Sequence, residues 1–267
     1  MTRQRPPSLD KLLDSALRGA SRPVAFVLAG HNGSGKSSLW HSRLADKLQI
    51  PLINADRLTA SILPPPDENH QLPTWAQRLR DDDDRWQELS QQGVKAFREL
   101  VMGKAMPFAF ETVFSHWKRL PDGSHESKAD DILKMQQAGY FVVLLFVGLA
   151  SADLSVLRVS TRKAQGGHGV PFDKLMSRYP RTQAAVGHAS ILADMTLMFD
   201  NSRDLSHAFA LVRAQRGKRV LYDVRDPGYR PDPGLLSVAQ AWLEKVAGPH
   251  PTPSAGRALT RKPIPSP

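Results

Sequence analysis

The segment from Gly30 to Ser37, with the sequence GHNGSGKS, constrains this chain more than any other. It fits the pattern G-x-x-x-x-G-K-[S/T], and its neighbours fit the structure expected around such a loop. Residues 24–29 form a short apolar run typical of a buried strand, and residues 38–48 place three leucines on one helical face. A strand, a glycine loop and a helix in this order predict a phosphate-binding P-loop, where backbone N–H groups and the helix N-terminus surround an anion.

We expect this loop to bind a nucleoside triphosphate, ATP or GTP, and its residues to have individual roles in doing so. We expect Lys36 to reach the β- and γ-phosphates and to act in catalysis, and the Ser37 hydroxyl to hold Mg²⁺. His31 is more typical of a residue that shapes the loop than of a catalyst. The predicted nucleotide-binding residues are Gly30, His31, Asn32, Gly33, Ser34, Gly35, Lys36, Ser37 and Ser38.

Composition narrows the class of protein. The 267 residues include 41% hydrophobic and 23% charged residues, as in soluble globular proteins. The lack of cysteine excludes disulfides and thiolate metal sites and fits the reducing cytoplasm, where we expect the protein to act. The first residues lack the apolar segment of a secretory signal, and the most apolar run, 140–150, is too short to span a bilayer, so no membrane association is expected.

The formal net charge of +10 raises the question of nucleic-acid binding. Five basic residues near the two ends account for half of this charge. The remaining excess suits a small anionic substrate as well as a phosphate backbone, and basic residues do not alternate with aromatic ones. The sequence therefore disfavours a nucleic-acid partner.

Predicted strands and helices alternate along the chain, which favours a doubly wound α/β fold of the P-loop NTPase type. We expect a mostly parallel sheet with helical lid insertions. The predicted strands cover 24–29, 51–56, 108–114, 140–149 and 195–202, followed by a hairpin of 208–212 and 219–222; the predicted helices cover 8–19, 38–48, 75–104, 126–138, 152–165, 171–193 and 235–246.

Several predicted strands end in polar residues, and ligands of such sheets lie beyond the carboxyl ends of the strands. Asp56 ends the second predicted strand, and Asp200 and Asn201 end the fifth. We expect Asp56 to act as a general base on a substrate hydroxyl and to bind substrate; capping the helix that starts near Arg57 is the alternative.

Glu111 and Thr112 end the third predicted strand and are candidate substrate-binding residues. The Glu111 carboxylate could bind a polyhydroxylated substrate or assist metal binding, or it could form a buried ion pair. The Thr112 hydroxyl could contact substrate, or Thr112 could be an ordinary β-branched strand residue.

Two pairs of arginines flank a glycine turn at 166–169. Arg158 and Arg162 share one helical face, as do Arg178 and Arg181. Arginine stabilises charge spread over phosphoryl oxygens, so we predict that Arg162 and Arg178 complete the catalytic site from a lid. The acidic run 81–84 points around a helix instead of converging, which favours a solvated face or a helix N-terminus over a metal site.

These segments together resemble the zeta toxin family of P-loop kinases. The resemblance covers residues 24–202 and rests on the order of its motifs. The motifs are the loop AGHNGSGKS at 29–37, INAD at 53–56, FETVFS at 110–115, RVSTR at 158–162, GGHGVP at 166–171, RY at 178–179 and FDNS at 199–202.

The resemblance implies an ATP- or GTP-dependent kinase of a small molecule, with a nucleotide sugar such as UDP-N-acetylglucosamine as acceptor and an antitoxin protein as partner. It implies phosphate binding by Lys36, base catalysis by Asp56, substrate contact by Glu111, and lid roles for Arg162 and Arg178. We expect residues 1–247 to form a single P-loop kinase domain, with an N-terminal helix at 8–19 and lid or substrate helices within 150–193. The richness of residues 248–267 in proline and basic residues predicts a disordered tail. Many relatives carry proline at the position of His31, and the Gly-Gly-His turn differs from that of the best-studied toxins.

Two other functions stay open at this stage. A polynucleotide or RNA kinase would use the same loop with the basic excess. A nucleotide-gated binding protein would use the loop as a switch without turnover, although polar groups at Asp56 and Glu111 favour an acceptor site.

Overall fold

The structure, a computed structural model, describes residues 4–17 and 21–249. Its strands form a seven-stranded sheet in the order β2-β3-β1-β6-β7-β8-β9 and a separate β4-β5 hairpin. The strands are β1 (Val24–Gly30), β2 (Leu52–Ile53), β3 (Phe108–Thr112), β4 (Trp117–Arg119), β5 (His125–Ser127), β6 (Phe141–Gly148), β7 (Met195–Asp200), β8 (Ala210–Arg216) and β9 (Arg219–Asp223).

Helices precede, connect and follow the strands. A π-helical turn, Trp40–Leu44, links α2 and α3, and a 3₁₀ turn, Leu205–His207, precedes β8. The α-helices are α1 (Leu9–Leu17), α2 (Lys36–Leu39), α3 (Ala45–Leu48), α4 (Ala55–Ala60), α5 (Thr74–Asp82), α6 (Asp84–Gly103), α7 (Ala129–Gln137), α8 (Ala152–Ala164), α9 (Phe172–Leu192) and α10 (Leu235–Ala247).

The continuous apolar runs of the sequence form the central strands of this sheet. Every residue of β1, β6 and β7 is buried, as in a parallel sheet covered on both faces by helices. β1 pairs in parallel with β3 on one side and β6 on the other, and β6 pairs in parallel with β7. The carboxyl ends of these strands therefore share one edge of the sheet. The predicted doubly wound, mostly parallel α/β fold is confirmed, with β8 and β9 as the antiparallel exception.

The prediction and the structure differ at three points. The second predicted strand, 51–56, contains only the two residues of β2, and Asp56 lies in the first turn of α4. The predicted helix 75–104 is divided at Asp83, whose side chain accepts a hydrogen bond from the Trp86 N–H (2.8 Å) and caps α6. The β4-β5 hairpin was not predicted; Trp117 stacks on His125 across it, with 4.3 Å between ring centroids.

The ends of the chain are described in part. Helix α1 confirms most of the predicted helix 8–19, of which residues 18 and 19 lie outside the described residues. The tail predicted at 248–267 also lies outside them, except for Gly248 and Pro249. Within the described residues, none of the helices combines the length and the apolar character needed to cross a bilayer.

Candidate active site

Side chains of neighbouring elements hold the loop between β1 and α2 through hydrogen bonds to its backbone carbonyl groups. The Asn32 carbonyl accepts a hydrogen bond from the Ser155 hydroxyl on α8 (2.7 Å), and the Ser34 carbonyl accepts one from the Asn201 amide after β7 (2.8 Å). In the part of the chain that the structure describes, the Gly33 N–H has no backbone acceptor. The protein thus secures the carbonyl side of the loop, and an N–H is left available to an anion.

Gly35 ends the loop and precedes the first turn of α2. Its φ of 91° lies in the left-handed region, which favours glycine. A Cβ atom here would lie 2.6 Å from Nδ2 of Asn201, so space also excludes a side chain. The backbone conformation and the available space therefore both favour glycine at this position.

His31 packs behind the loop. It is 2% exposed, stacks on Tyr179 with 4.2 Å between ring centroids, and meets the Phe146 ring edge-on at 5.7 Å. Burial, and secondly the charge of Lys36, lower the pKa of His31 to about 3. Neither ring nitrogen has a hydrogen-bond partner among the described residues. The imidazole is therefore a neutral ring that supports the loop from behind.

Lys36 lies at the centre of the site. Its Nζ donates hydrogen bonds to the carbonyls of His31 (3.0 Å) and Gly30 (3.3 Å) and lies 3.9 Å from Oε1 of Glu111. Burial lowers the pKa of Lys36, the carboxylates of Glu111 and Asp56 oppose this shift, and the charge of Arg162 adds to it. Glu111, Asp56 and Arg162 all line the same cleft as Lys36.

Glu111 joins the end of β3 to the loop and to α4. Its two carboxylate oxygens accept hydrogen bonds from the Ser37 hydroxyl (3.0 and 2.9 Å), and Oε2 also accepts one from the Asn54 amide (2.7 Å). Glu111 thus contacts the serine expected to hold Mg²⁺ as well as Lys36. Nothing in the sequence had assigned a role to Asn54.

Asp56 has a different local structure from the one expected, but it does face the site. Asn54, not Asp56, is the N-cap of α4, because its side chain accepts a hydrogen bond from the Arg57 N–H (3.0 Å). The Asp56 carboxylate is exposed and has no hydrogen-bond or ion-pair partner within the described ranges. It lines the cleft and is accessible to a ligand there.

The four arginines of the predicted lid separate into two groups. Arg162 and Arg178 line the same cleft as Lys36, whereas Arg158 and Arg181 are not among its lining residues. Nη2 of Arg162 donates to the His168 carbonyl (2.9 Å). Burial, and then the charge of Arg181, lower the pKa of Arg178, and its guanidinium has no acceptor in the part of the chain described here.

One cleft of about 800 Å³ brings most of the predicted site residues together. Gly30, His31, Ser34, Gly35 and Ser38 are not among its lining residues, so their contact with nucleotide stays a prediction. The predicted residues that line the cleft are Asn32, Gly33, Lys36, Ser37, Asp56, Glu111, Thr112, Arg162 and Arg178.

Helix α6 forms a wall of this cleft that sequence reasoning missed. Gln87, Gln91 and Lys95 follow one another at intervals of four residues and line the cleft with Trp86 and Arg98. A polar stripe of this kind is ordinarily the solvent-exposed face of a helix, so the sequence did not identify these residues as part of a site. The Trp86 indole nitrogen is buried and has no acceptor among the residues described.

Asp200, at the end of β7, has a structural task. It is 1% exposed and accepts hydrogen bonds from Nε1 of Trp242 (2.8 Å) and from the Ser202 hydroxyl (2.8 Å). Its neighbour Asn201 makes the contact with the loop. Sequence reasoning noted both residues as polar strand ends without separating these tasks.

Comparison with known proteins agrees with this geometry. The family model described as "Zeta toxin" matches residues 10–225. None of the curated protein sequences matches the chain.

Several solved structures share this fold. A structure from the PezAT chromosomal toxin-antitoxin system of Streptococcus pneumoniae shares 12% identity at a TM-score of 0.50, covering 92% of this chain and 91% of that one. Structures of AvrRxo1-ORF1:AvrRxo1-ORF2 share 14% identity at a TM-score of 0.52; the one with sulphate ions covers 89% of this chain and 80% of that one. The one with ATP covers 79% and 64%. At these identities the likeness shows the fold alone.

Proposed function

The chain belongs to the zeta toxin family of P-loop kinases, and from that premise we propose that it transfers the γ-phosphate of ATP or GTP to a hydroxyl of a nucleotide sugar such as UDP-N-acetylglucosamine. One observation carries the proposal. Lys36 of the loop, the Asp56 carboxylate, which has no partner among the described residues, and two arginines line a single cleft of about 800 Å³. A nucleotide switch without turnover needs no such acceptor space.

The donor half of the site suits a nucleotide with Mg²⁺. The Ser37 hydroxyl and the Glu111 carboxylate are oxygen groups in mutual contact, and Mg²⁺ prefers oxygen ligands. Among the described residues no group of three His, Cys, Asp or Glu side chains could hold a metal by itself. A metal held by Ser37, with Glu111 hydrogen-bonded to that serine, would therefore depend on phosphate oxygens and water, as is usual for Mg²⁺. When bound, Mg²⁺ would neutralise charge on the phosphates.

Each side chain then has a role in the transfer. Asp56 accepts the proton of the acceptor hydroxyl, whose oxygen forms a bond to the γ-phosphorus as the bond from phosphorus to the bridging oxygen breaks. Lys36, Arg162 and Arg178 stabilise the negative charge on the moving phosphoryl group and on the departing diphosphate. Arg178, which has no acceptor among the described residues, has its donors available for this task.

The acceptor would lie between Asp56 and the wall of α6. The amides of Gln87 and Gln91 suit hydroxyl and amide groups of a sugar, and Lys95 suits an anionic group. Thr112 lines the cleft, but its hydroxyl also lies 3.4 Å from the N–H of Phe114. Substrate contact by Thr112 and Glu111 belongs to the same proposal.

We extend the proposal to partner and location. The named assemblies of similar fold include a toxin-antitoxin system. We therefore propose that an antitoxin protein binds this chain. Action in the cytoplasm is also part of the proposed function, and binding of nucleic acid is not.

The test is incubation with ATP, Mg²⁺ and either UDP-N-acetylglucosamine or a metabolite mixture, with mass spectrometry to detect the phosphorylated product. Lys36→Ala should abolish transfer, and Asp56→Ala should reduce kcat by about 100-fold or more, the usual contribution of a general base. Asp46→Ala is the matched control, since Asp46 is an exposed carboxylate on α3 outside the cleft.

Other outcomes would change the conclusion. Full activity of Asp56→Ala would remove the base assignment. End-labelling of oligonucleotides, with salt-sensitive binding to RNA, would indicate a polynucleotide kinase. Nucleotide binding without acceptor-dependent release of ADP would indicate a binding protein.

A further inference from the structure

Arg80 and Asp81, neighbours at the end of α5, form a sheltered ion pair. Nε and Nη2 of Arg80 donate to the two carboxylate oxygens of Asp81 at 2.7 and 2.9 Å. The two side chains are only 16% and 15% exposed. Hydrogen-bonded pairs of this kind, with limited solvent access, are stronger than most surface ion pairs.

This pair holds the glycine turn that joins α8 to α9. Arg80 also donates from Nη1 to the Gly166 carbonyl (3.0 Å) and from Nη2 to the Gly167 carbonyl (3.4 Å). Oδ1 of Asp81 lies 2.8 Å from Nδ1 of His168. Burial alone would raise the pKa of Asp81, but the hydrogen bonds from Arg80 and His168 lower it, which keeps the carboxylate ionised. Three consecutive residues of the turn are thus bound by two consecutive side chains of α5.

The two glycines allow the turn to fit against its neighbours. Gly166 has a φ of +82°, and a Cβ atom there would lie 1.9 Å from the backbone oxygen of His70. A Cβ atom on Gly167 would lie 2.6 Å from Cγ of Arg162. The turn is therefore packed between the segment before α5 and the side chain of Arg162.

Arg162 contacts this turn through both its guanidinium and its aliphatic stem. Nη2 of Arg162 donates to the His168 carbonyl (2.9 Å), and Gly167 packs against its aliphatic stem. Arg162 lines the same cleft as Lys36, and its charge contributes to lowering the pKa of Lys36.

We propose that Arg80 and Asp81 are positioning residues, which hold the 166–168 turn so that Arg162 faces the phosphates in the cleft. The inference rests on the proposed function for the role of Arg162, but the attachment of the turn can be measured without it. It also gives a task to one carboxylate of the acidic run 81–84, because Asp81 is bound to the turn whereas Asp82 is exposed.

The experiment compares Asp81→Ala with Asp82→Ala in the full chain, since the second variant removes the same charge one residue away. Arg80→Met is a second test variant, which keeps the aliphatic stem and removes the guanidinium. The N–H groups of Gly166 and Gly167 donate to the carbonyls of Lys163 and Arg162, so their hydrogen exchange reports on the turn. Exchange at these two amides should rise at least tenfold in Asp81→Ala and Arg80→Met and stay unchanged in Asp82→Ala. Unchanged exchange in both test variants would overturn the proposal.

The link to Arg162 is tested with a double-mutant cycle on kcat. Asp81→Ala should lower kcat about 10-fold or more, as misplacement of a catalytic group does, with little change in acceptor KM. In an Arg162→Ala background, Asp81→Ala should lower kcat no further. Multiplicative effects would show that Asp81 acts independently of Arg162 and would contradict the positioning role.

Absence of transferase activity would contradict the proposed function but would leave this inference standing. In that case, ATP affinity measured by calorimetry replaces kcat in the same cycle. Equal losses of ATP affinity in Asp81→Ala and Arg162→Ala, with no further loss in the double variant, would support the proposal. A loss in Arg162→Ala alone would overturn it.

Discussion

His31 should make the stability of this protein fall as the solution is acidified. Its ordinary pKa is 6.5, and burial beside Lys36 lowers the pKa in the folded chain to about 3. Between these two values the unfolded chain binds one proton that the folded chain does not. The contribution of neutral His31 to stability is therefore complete above pH 6.5 and is lost as the pH falls toward 3.

The size of the effect follows from the pKa difference. Each pH unit in this window costs about 1.4 kcal/mol for one proton, so acidification from pH 7.5 to pH 5 should cost about 2 kcal/mol through His31 alone. His31→Phe should remove this loss, because phenylalanine keeps a ring against Tyr179 and has no group to protonate. The change between the two pH values, not the stability at either, is the relevant quantity.

Urea unfolding at pH 7.5 and at pH 5 measures this change in the free energy of unfolding. The proteins compared are the wild type, His31→Phe and His41→Asn, a control at an exposed histidine. The wild type and the control should lose about 2 kcal/mol more than His31→Phe. Equal losses in all three proteins would refute the reasoning, as would an NMR titration in which the His31 ring becomes protonated near pH 6.

Two further predictions concern packing and the loop. Tyr140→Phe should lower the free energy of urea unfolding by about 1–3 kcal/mol, because the carbonyls of Met106 and Val101 would lose a hydrogen-bond donor. The buried Tyr140 hydroxyl lies 2.8 Å from the Met106 carbonyl and 3.1 Å from the Val101 carbonyl. An unchanged unfolding midpoint would contradict this prediction. Gly35→Ala should weaken ATP binding by at least tenfold in calorimetry, because alanine is strained at a φ of 91° and its Cβ would collide with the Asn201 amide; wild-type affinity would show that the loop can shift.

The donor half of the site was predictable because its signals are local. The P-loop follows β1 within a few residues, and the apolar runs of β1, β6 and β7 could belong only to buried elements. Their order along the chain then placed Glu111 at the same sheet edge as Lys36.

The acceptor half was less predictable because its contacts join distant segments. Asp56 was placed at a strand end, although β2 ends at Ile53 and Asn54 begins a helix; both Asn54 and Asp56 are good cap residues, and the sequence does not choose between them. The pairing of Arg80 with the turn spans 86 residues from Gly166 and leaves no periodic pattern. The polar stripe on α6 looked like an ordinary solvent face.

The division of the cleft between these two halves has a consequence for the evolution of substrate choice. Lys36 and Ser37 of the phosphate-binding loop begin α2, the first helix after the central strand β1, whereas Gln87, Gln91 and Lys95 lie on α6, in the connection between β2 and β3. On the proposed function, mutations along that one helix can exchange one acceptor for another while the donor machinery stays intact. On that basis, substitutions on α6 would change the acceptor of this chain without any change in the buried strands β1, β6 and β7.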